Sequence, residues 1–455
     1  MLYDFLLLNR ESGEALCDQL YEGLRGGIQD GKLSAGDKLA SIREAAGALS
    51  VSRTTVETAY SRLCLEGYIE ARPQSGYRVR QVQPAAVSPQ PEVETPPLYD
   101  FTTSSIEPEA ADLQNWRRLV RAVLADELEV SSYGDPQGEM VLRQALSSYA
   151  FHARGVKAKP EQIFIGAGIG PLLQLLCPLL EGRPKVRMEC PGFIQAQQIF
   201  TDYGFSVDTC REGKVSFPWE AEAIMTELPS LRPYLQPAAV AAHRAALRTW
   251  AEGYPGRYVL EDDYNGELHY KTRAVPAFQG ILPEKTIYLG SFSKLLLPSV
   301  RIAYMVLPET LAEKARQRLP MLNQTAGKTE QVALAEYIRS GLMEKHLRRL
   351  RRLYAKKSQI MGDSLERVFG WDCSYSLHET SLAFAADFSL AHWDEDSAER
   401  MVRAARTVGA ACRPAPGNRY TPGHVQLILG FSGIPTEKID EGIALLGRAW
   451  QPVLR

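Results

Sequence analysis

Lys294 closes the run Gly290-Ser291-Phe292-Ser293-Lys294, which follows the short apolar segment Thr286-Ile287-Tyr288-Leu289. A lysine held after a buried strand among small hydroxyl residues loses solvation, which lowers its pKa and frees its amine for a Schiff base. A second apolar segment, Tyr258-Val259-Leu260, ends in Glu261-Asp262-Asp263-Tyr264. A carboxylate at such a point, here Asp262, would keep a pyridinium nitrogen protonated, the condition under which pyridoxal phosphate acts as an electron sink. A third, Ile163-Phe164-Ile165, runs into Gly166-Ala167-Gly168-Ile169-Gly170. Glycine N–H groups at a helix start, with Ser291 and Arg301, form a cradle for phosphate. Singly, a Ser-x-Ser-Lys is usually a loop, an Asp-Asp pair a solvated turn and a glycine run tight packing. The ordered set carries the reading.

These groups need a frame. From Leu98 onward, helical and strand patterns alternate, the signature of an α/β sheet. Ligands of open α/β sheets collect at the carboxyl ends of the strands, so the three segment ends are expected to converge.

With 455 residues the chain is long enough for two or three domains. A hydrophobic content of 45% and a charged content of 23% exclude a disordered, collagenous or coiled-coil chain. The 52 Lys+Arg against 54 Asp+Glu leave no overall basic excess, so any charge that meets DNA is local. The 7 cysteines are scattered without CxxC spacing, and the 7 histidines never pair at metal-ligand spacing. We expect no disulfide framework, no metal and a reducing cytoplasm. The first ten residues lack a basic leader and a cleavage site, and no run of about eighteen apolar residues occurs, so neither a signal peptide nor a membrane span is expected. The basic stretch Lys345–Leu353 has leucines at helical spacing and reads as a solvated amphipathic face.

The sharpest composition break is QVQPAAVSPQPEVETPP, residues 81–97, a proline-rich linker able to span up to roughly 50 Å. Before it, Ala15–Gln29 has Leu16, Leu20, Leu24 and Ile28 at helical spacing. Ser41-Ile-Arg-Glu opens a second helix with a capping box to Glu44. Ser52 caps a third that runs through Leu65, with Val56, Tyr60 and Leu63 as its buried stripe. Tyr68-Ile69-Glu70 and Tyr77-Arg78-Val79-Arg80 alternate as strands around Pro73–Gly76. Three helices and a hairpin make a winged helix-turn-helix. Arg53, Thr54 and Thr55 occupy the first turn of the third helix, the part that enters a major groove. Arg43 leads the second, and Ser75-Gly76 form the wing tip. Residues 1–80 hold 10 Lys+Arg against 11 Asp+Glu, so one copy is expected to bind DNA weakly.

The run KLSAGDKLASIREAAGALSVSRTTVETAYSRLCLEGYIEARPQSGYRVR resembles the DNA-binding domain of the GntR superfamily. That resemblance implies that Arg43, Arg53, Thr54, Thr55 and Gly76 reach DNA, with Ser52 and Ser75 beside them. The stretches YGDPQGEMVLRQALSSYAFHARGV, ECPGF, LEDDYNGELHY and IYLGSFSKLLLPSVRIAYMVLP resemble fold-type-I, aspartate-aminotransferase-like domains. Together the two halves resemble the MocR family of bacterial regulators. The implied architecture is a winged helix-turn-helix over residues 1–80, a linker over 81–97, and an α/β aminotransferase-fold domain over 98–455. The likeness further implies that Lys294 carries the internal aldimine of pyridoxal 5'-phosphate, Asp262 meets the pyridine nitrogen, Tyr264 the 3′ oxygen, and Phe193 the ring face. Ser291, Arg301 and the N–H groups of Ile169 and Gly170 match phosphate positions, and Ser293 is grouped with them.

Three departures stand out. Where relatives read Ser-His-Gln-x-Pro-x-Gly, this chain reads Ser230-Leu231-Arg232-Pro233-Tyr234-Leu235-Gln236. Val425–Phe431 lacks the arginine that clamps a substrate carboxylate in aminotransferases of this fold, for which Arg413 and Arg419 are the candidate substitutes. The phosphate loop has no hydroxyl side chain. Together they point to ligand sensing without sustained turnover by a transcriptional regulator; the missing arginine points to pyridoxal phosphate itself, or an amine lacking the usual carboxylate, as the effector, and the likeness to fold-type-I domains implies a homodimer. Resemblance suggests a head-to-tail exchange, and ligand-driven closure would change the spacing of the heads on a double-stranded operator. A working aminotransferase carrying a DNA-binding domain, or a scaffold whose lysine site is vestigial, are the alternatives at this point.

Overall fold

The computed structural model describes the chain apart from residues 1, 2, 4, 7, 11, 73–74, 81–96, 103–104, 181, 183–184, 190–193, 211–222, 227–236, 264, 271–274, 378–381, 416–421 and 455. Phe193, Tyr264, Arg419, the Ser230–Gln236 loop and most of the proline-rich run therefore lie outside the described residues. The chain separates into two compact units, Met1–Thr95 and Pro96–Arg455. Among the described residues no helix is long and apolar enough to cross a membrane.

The first unit holds three helices, α1 (Leu16–Gln29), α2 (Ile42–Leu49) and α3 (Arg53–Leu65), and an antiparallel hairpin of β1 (Ile69–Arg72) and β2 (Gly76–Val79). The Ser41–Glu44 capping box starts α2. Ser50, in the left-handed region at φ 54°, ends it and swings the chain so that Ser52 can cap α3 two residues later. Leu20, Leu24, Val56, Tyr60 and Leu63 are buried together, and the Tyr60 hydroxyl donates to the Ala40 carbonyl at 3.1 Å. An isolated bridge between Lys38 and Arg78 lays a third extended segment beside the wing.

In the second unit, β3 (Tyr99–Asp100) precedes seven strands of one sheet: β4 (Ile163–Gly166), β5 (Val186–Glu189), β6 (Val207–Cys210), β7 (Ala223–Thr226), β8 (Tyr258–Asp262), β9 (Thr286–Ser291) and β10 (Ala303–Val306). Their order is β4-β10-β9-β8-β7-β5-β6, with β10 antiparallel to both of its neighbours and the remaining pairs parallel. Both faces are covered. Tyr288, Tyr304 and Val306 join one core while Ile287, Leu289 and Met305 join another, so these strands read as continuous apolar runs.

The remaining strands are β11 (Cys373–Leu377), β12 (Ala383–Ser389), β13 (Ala410–Ala411), β14 (Arg413–Pro414) and β15 (His424–Gly430). Four of them form an antiparallel sheet ordered β11-β12-β15-β14, while β13 pairs with β3. The basic stretch lies on the helix Leu342–Phe369. Its Leu347, Leu350 and His346 are buried while Lys345, Arg348, Arg349 and Arg352 are exposed, so the stretch is the amphipathic face its spacing predicts, with Arg349 and Arg351 also donating to the carbonyls of Ala110 and Glu267.

Candidate functional site

Because β4 and β9 both run antiparallel to β10, their carboxyl ends share one edge. Gly166 faces Ala303, which faces Ser291 across the sheet. Asp262 is the last residue of β8, in register with Leu289. The three segment ends converge as expected, and the strand pairing is the cause.

At that edge the helix Ile169–Leu176 begins from Gly168, whose φ is +101°. A Cβ on Gly168 would come within 2.6 Å of Arg301 Nη2, so a residue without a side chain lets the guanidinium close over the helix start. Arg301 itself sits in the left-handed region at φ 50°. Its Nη1 donates to Ser293 Oγ at 3.3 Å, and the Ser291 and Ser293 hydroxyls are 3.3 Å apart. Ser291, Ser293 and Arg301 thus gather their donors beside the start of this helix, where the first-turn N–H groups of Ile169 and Gly170 have no intrahelical acceptor. This set suits a phosphate dianion. The glycine loop carries no hydroxyl, but Thr325 supplies one, accepting from Ala167 N at 3.0 Å. Thr325 is 158 residues away in sequence, and no local signal points to it.

Lys294 is buried and donates to the Ser105 carbonyl at 3.3 Å. Burial pushes its ammonium down to about 8, with the Asp100 carboxylate opposing and the Arg413 guanidinium reinforcing the shift. Ser105 reaches the lysine because its segment is tied down on both sides. Upstream, β3 pairs with β13 and Gly430 N donates to the Phe101 carbonyl. Downstream, Glu107 N donates to the Ser432 carbonyl and Glu107 is ion-paired with buried Lys357.

Asp262 and Asp263 have different fates. Asp263 takes both a buried Arg154 guanidinium, Nε to Oδ2 at 2.6 Å, and the Tyr288 hydroxyl at 2.7 Å. Asp262, one residue earlier on an extended strand, projects to the other side and stays buried at the carboxyl edge. Glu261 and Glu267, also buried, are held above the usual carboxylate range first by desolvation and then by the Asp263 charge. They belong to the structural network under the site.

In the first unit, Arg43, Arg53 and Thr54 are exposed. Ser52 Oγ accepts from Thr55 N at 3.0 Å and lies 2.8 Å from Thr55 Oγ1, so both side chains serve the cap as well as the helix face. Ser75 is half-buried, and Gly76 is exposed at φ +83°. Lys38, absent from the sequence-based set, lies at this tip: a Cβ on Gly76 would be 3.7 Å from its Cε. It adds a cation to the wing tip.

The sequence pattern of the bacterial regulatory proteins, gntR family, matches residues 16–79, and that of aminotransferase class I and II matches residues 104–379. Over 98% of both chains, the protein is 32% identical to the uncharacterized HTH-type transcriptional regulator YdeL of Bacillus subtilis. It is 29% identical to the probable rhizopine catabolism regulatory protein MocR of Rhizobium meliloti, over 98% of this chain and 96% of that one. In fold, it superposes on a kynurenine aminotransferase of Pyrococcus horikoshii with a TM-score of 0.66, covering 79% of this chain and 92% of that one at 20% identity. A gntR-type winged helix joined to an aminotransferase-fold body defines an HTH-type transcriptional regulator. The chain belongs to the MocR family.

Proposed function

We propose that this regulator binds pyridoxal phosphate at the convergent edge through Lys294 and changes its operator binding when an amino compound engages the cofactor, without sustained turnover. The supporting observation is a buried lysine with its ammonium lowered to about 8, at the same sheet edge as a buried carboxylate and a donor cup. Near neutral pH about a tenth of such a lysine is the nucleophilic free amine, against a vanishing fraction of an exposed one. Asp262 would hold the ring nitrogen, and Ser291, Ser293, Arg301 and the Ile169 and Gly170 amides the phosphate. When bound, the group would supply an electrophilic carbon open to the amine of Lys294 or of an effector.

Double-stranded DNA meets Arg53 and Thr54 in the major groove, with Arg43, Gly76 and Lys38 beside phosphates. A homodimer gives the weakly charged head a second copy at high effective concentration. The cytoplasm suits Cys17, Cys64, Cys177, Cys373 and Cys412, which are free thiols.

The test is the visible spectrum of purified protein with added pyridoxal phosphate, beside Lys294→Ala. A band that requires Lys294 supports the reading; its absence from both proteins overturns it.

A further inference from the structure

Tyr3, Phe5, Leu6, Asn9 and Arg10 precede the stretch that matches the gntR pattern, residues 16–79, yet they are built into the head. Tyr3 is buried. Its hydroxyl lies 2.8 Å from that of Tyr60 on α3 and accepts at 2.9 Å from the N–H of Ala40, just ahead of the α2 cap. Phe5 and Leu6 seat against Gly27 and Gly23, one turn apart on α1. A Cβ on Gly27 would come within 2.5 Å of the Phe5 ring, and one on Gly23 would strike Leu6. The side chain of Gln19 then holds the backbone of Asn9 through both its groups, Oε1 accepting from Asn9 N at 2.8 Å and Nε2 donating to the Asn9 carbonyl at 2.9 Å. The segment is thus held at Tyr3 by α3 and at Asn9 by α1.

One residue further on, Arg10 crosses to the turn between α2 and α3, where its Nη2 donates to the carbonyl of Ser50, the left-handed residue that ends α2. Ser50 is two residues from Ser52, the cap of α3, a span of at most about 7 Å. Arg10, Ser50, Ser52, Arg53 and Thr54 are all exposed. The guanidinium therefore stands beside the start of the helix whose first turn meets a major groove, and such a groove is bordered by phosphates. A bond to a neutral carbonyl leaves the charge of Arg10 in place, whereas Arg25, Lys32, Arg62 and Arg72 are each ion-paired with a carboxylate of the head. Guanidinium presents five N–H donors in a planar fork, so one side can hold the Ser50 carbonyl while another meets a phosphate oxygen. The anchored Asn9 backbone and the Ser50 bond also restrict the side chain beforehand, which lowers the entropy cost of that contact.

We propose that Arg10 is a DNA-phosphate contact of the head, carried to the start of α3 by a segment strapped over α1. The inference rests on the reading of α3 as the groove-facing helix. It adds a cation from outside the gntR stretch to a head whose lysines and arginines are outnumbered by its carboxylates.

The experiment is fluorescence anisotropy of the full chain across a salt series, on a duplex selected from a random pool and on a scrambled duplex of the same length. Arg10→Lys, Arg10→Gln and Arg10→Glu are compared with the unaltered protein, with Arg53→Ala alongside. For each head engaged, Arg10→Gln lowers the slope of log affinity against log salt by about one and Arg10→Glu lowers it further, equally on both duplexes, while Arg10→Lys keeps the slope. The affinity deficit of Arg10→Gln shrinks about three- to four-fold per head between about 50 and 200 mM salt, and melting temperatures stay within a few degrees. Unchanged slopes in the Gln and Glu variants, beside a weakened Arg53→Ala, overturn the role of Arg10 and leave the groove-facing role of α3 intact. An affinity loss that ignores salt and comes with a lower melting temperature overturns it too, because Arg10 then only holds the Ser50 turn. If Arg53→Ala binds the selected duplex as the unaltered protein does, α3 does not face the groove, and the inference fails with that reading.

Discussion

The Arg301 guanidinium lies so close to the Cα of Gly168 that a methyl group there would come within 2.6 Å of Nη2. Glycine 168 is thus a spatial requirement of the donor cup as well as a conformational one, since its φ of +101° already disfavours a side chain.

Gly168→Ala is expected to push Arg301 off the helix start and weaken pyridoxal phosphate binding at least about ten-fold, with a stability loss of about 1 kcal/mol. Absorbance titration against cofactor, with a melting curve alongside, measures both. An unchanged cofactor affinity would show that the cup is not the phosphate site.

Neighbouring aspartates should respond in opposite ways. Asp263→Asn leaves the buried Arg154 without its counter-charge and is expected to cost about 3–5 kcal/mol of stability. Asp262→Asn leaves the melting temperature within a few degrees but alters the visible spectrum of the bound cofactor, because the ring nitrogen loses its carboxylate. Denaturant unfolding and absorbance spectra on the two variants separate a structural from a cofactor-facing role.

A lysine lowered to about 8 sets the pH dependence of cofactor capture. Below that value the free-amine fraction, and with it the capture rate, should rise about ten-fold per pH unit, levelling off above it. In stability the sign follows from burial: the folded form binds the proton less well than the unfolded chain. The cost of the buried charge is therefore felt below about pH 8 and relieved as pH rises towards the ordinary lysine range. Stopped-flow absorbance between pH 6 and 10 checks the rate, and Lys294→Ala flattens this part of the stability profile.

On the head, Arg53→Ala should weaken binding to a DNA duplex selected from a random pool by about 1–3 kcal/mol if it reads a base. If it contacts phosphate, the variant lowers the salt dependence by about one counterion. Ser52→Ala removes the cap of α3 and costs about 1 kcal/mol of stability. Fluorescence anisotropy across a salt series distinguishes these outcomes, and Lys38→Ala should behave as a phosphate contact.

Much of this protein is legible in its local spacing. The Ser41–Glu44 box, the Ser52 cap and the stripe of Val56, Tyr60 and Leu63 are short-range patterns, because caps and helical faces are decided within a turn of the chain. The segments ending at Gly166, Asp262 and Ser291 announce themselves as strands by continuous apolar runs, and Lys294 follows from its position after one of them. What pairing alone decides lay beyond that reading. Arg154, 109 residues away in sequence, takes Asp263 and so separates it from Asp262, the carboxylate that the sequence alone offered to the cofactor. The hydroxyl of Thr325 at the glycine loop and Lys38 at the wing are set by contacts across strands and helices. Sequence distance carries no record of them, because register between strands is fixed by the fit of the whole sheet against its core.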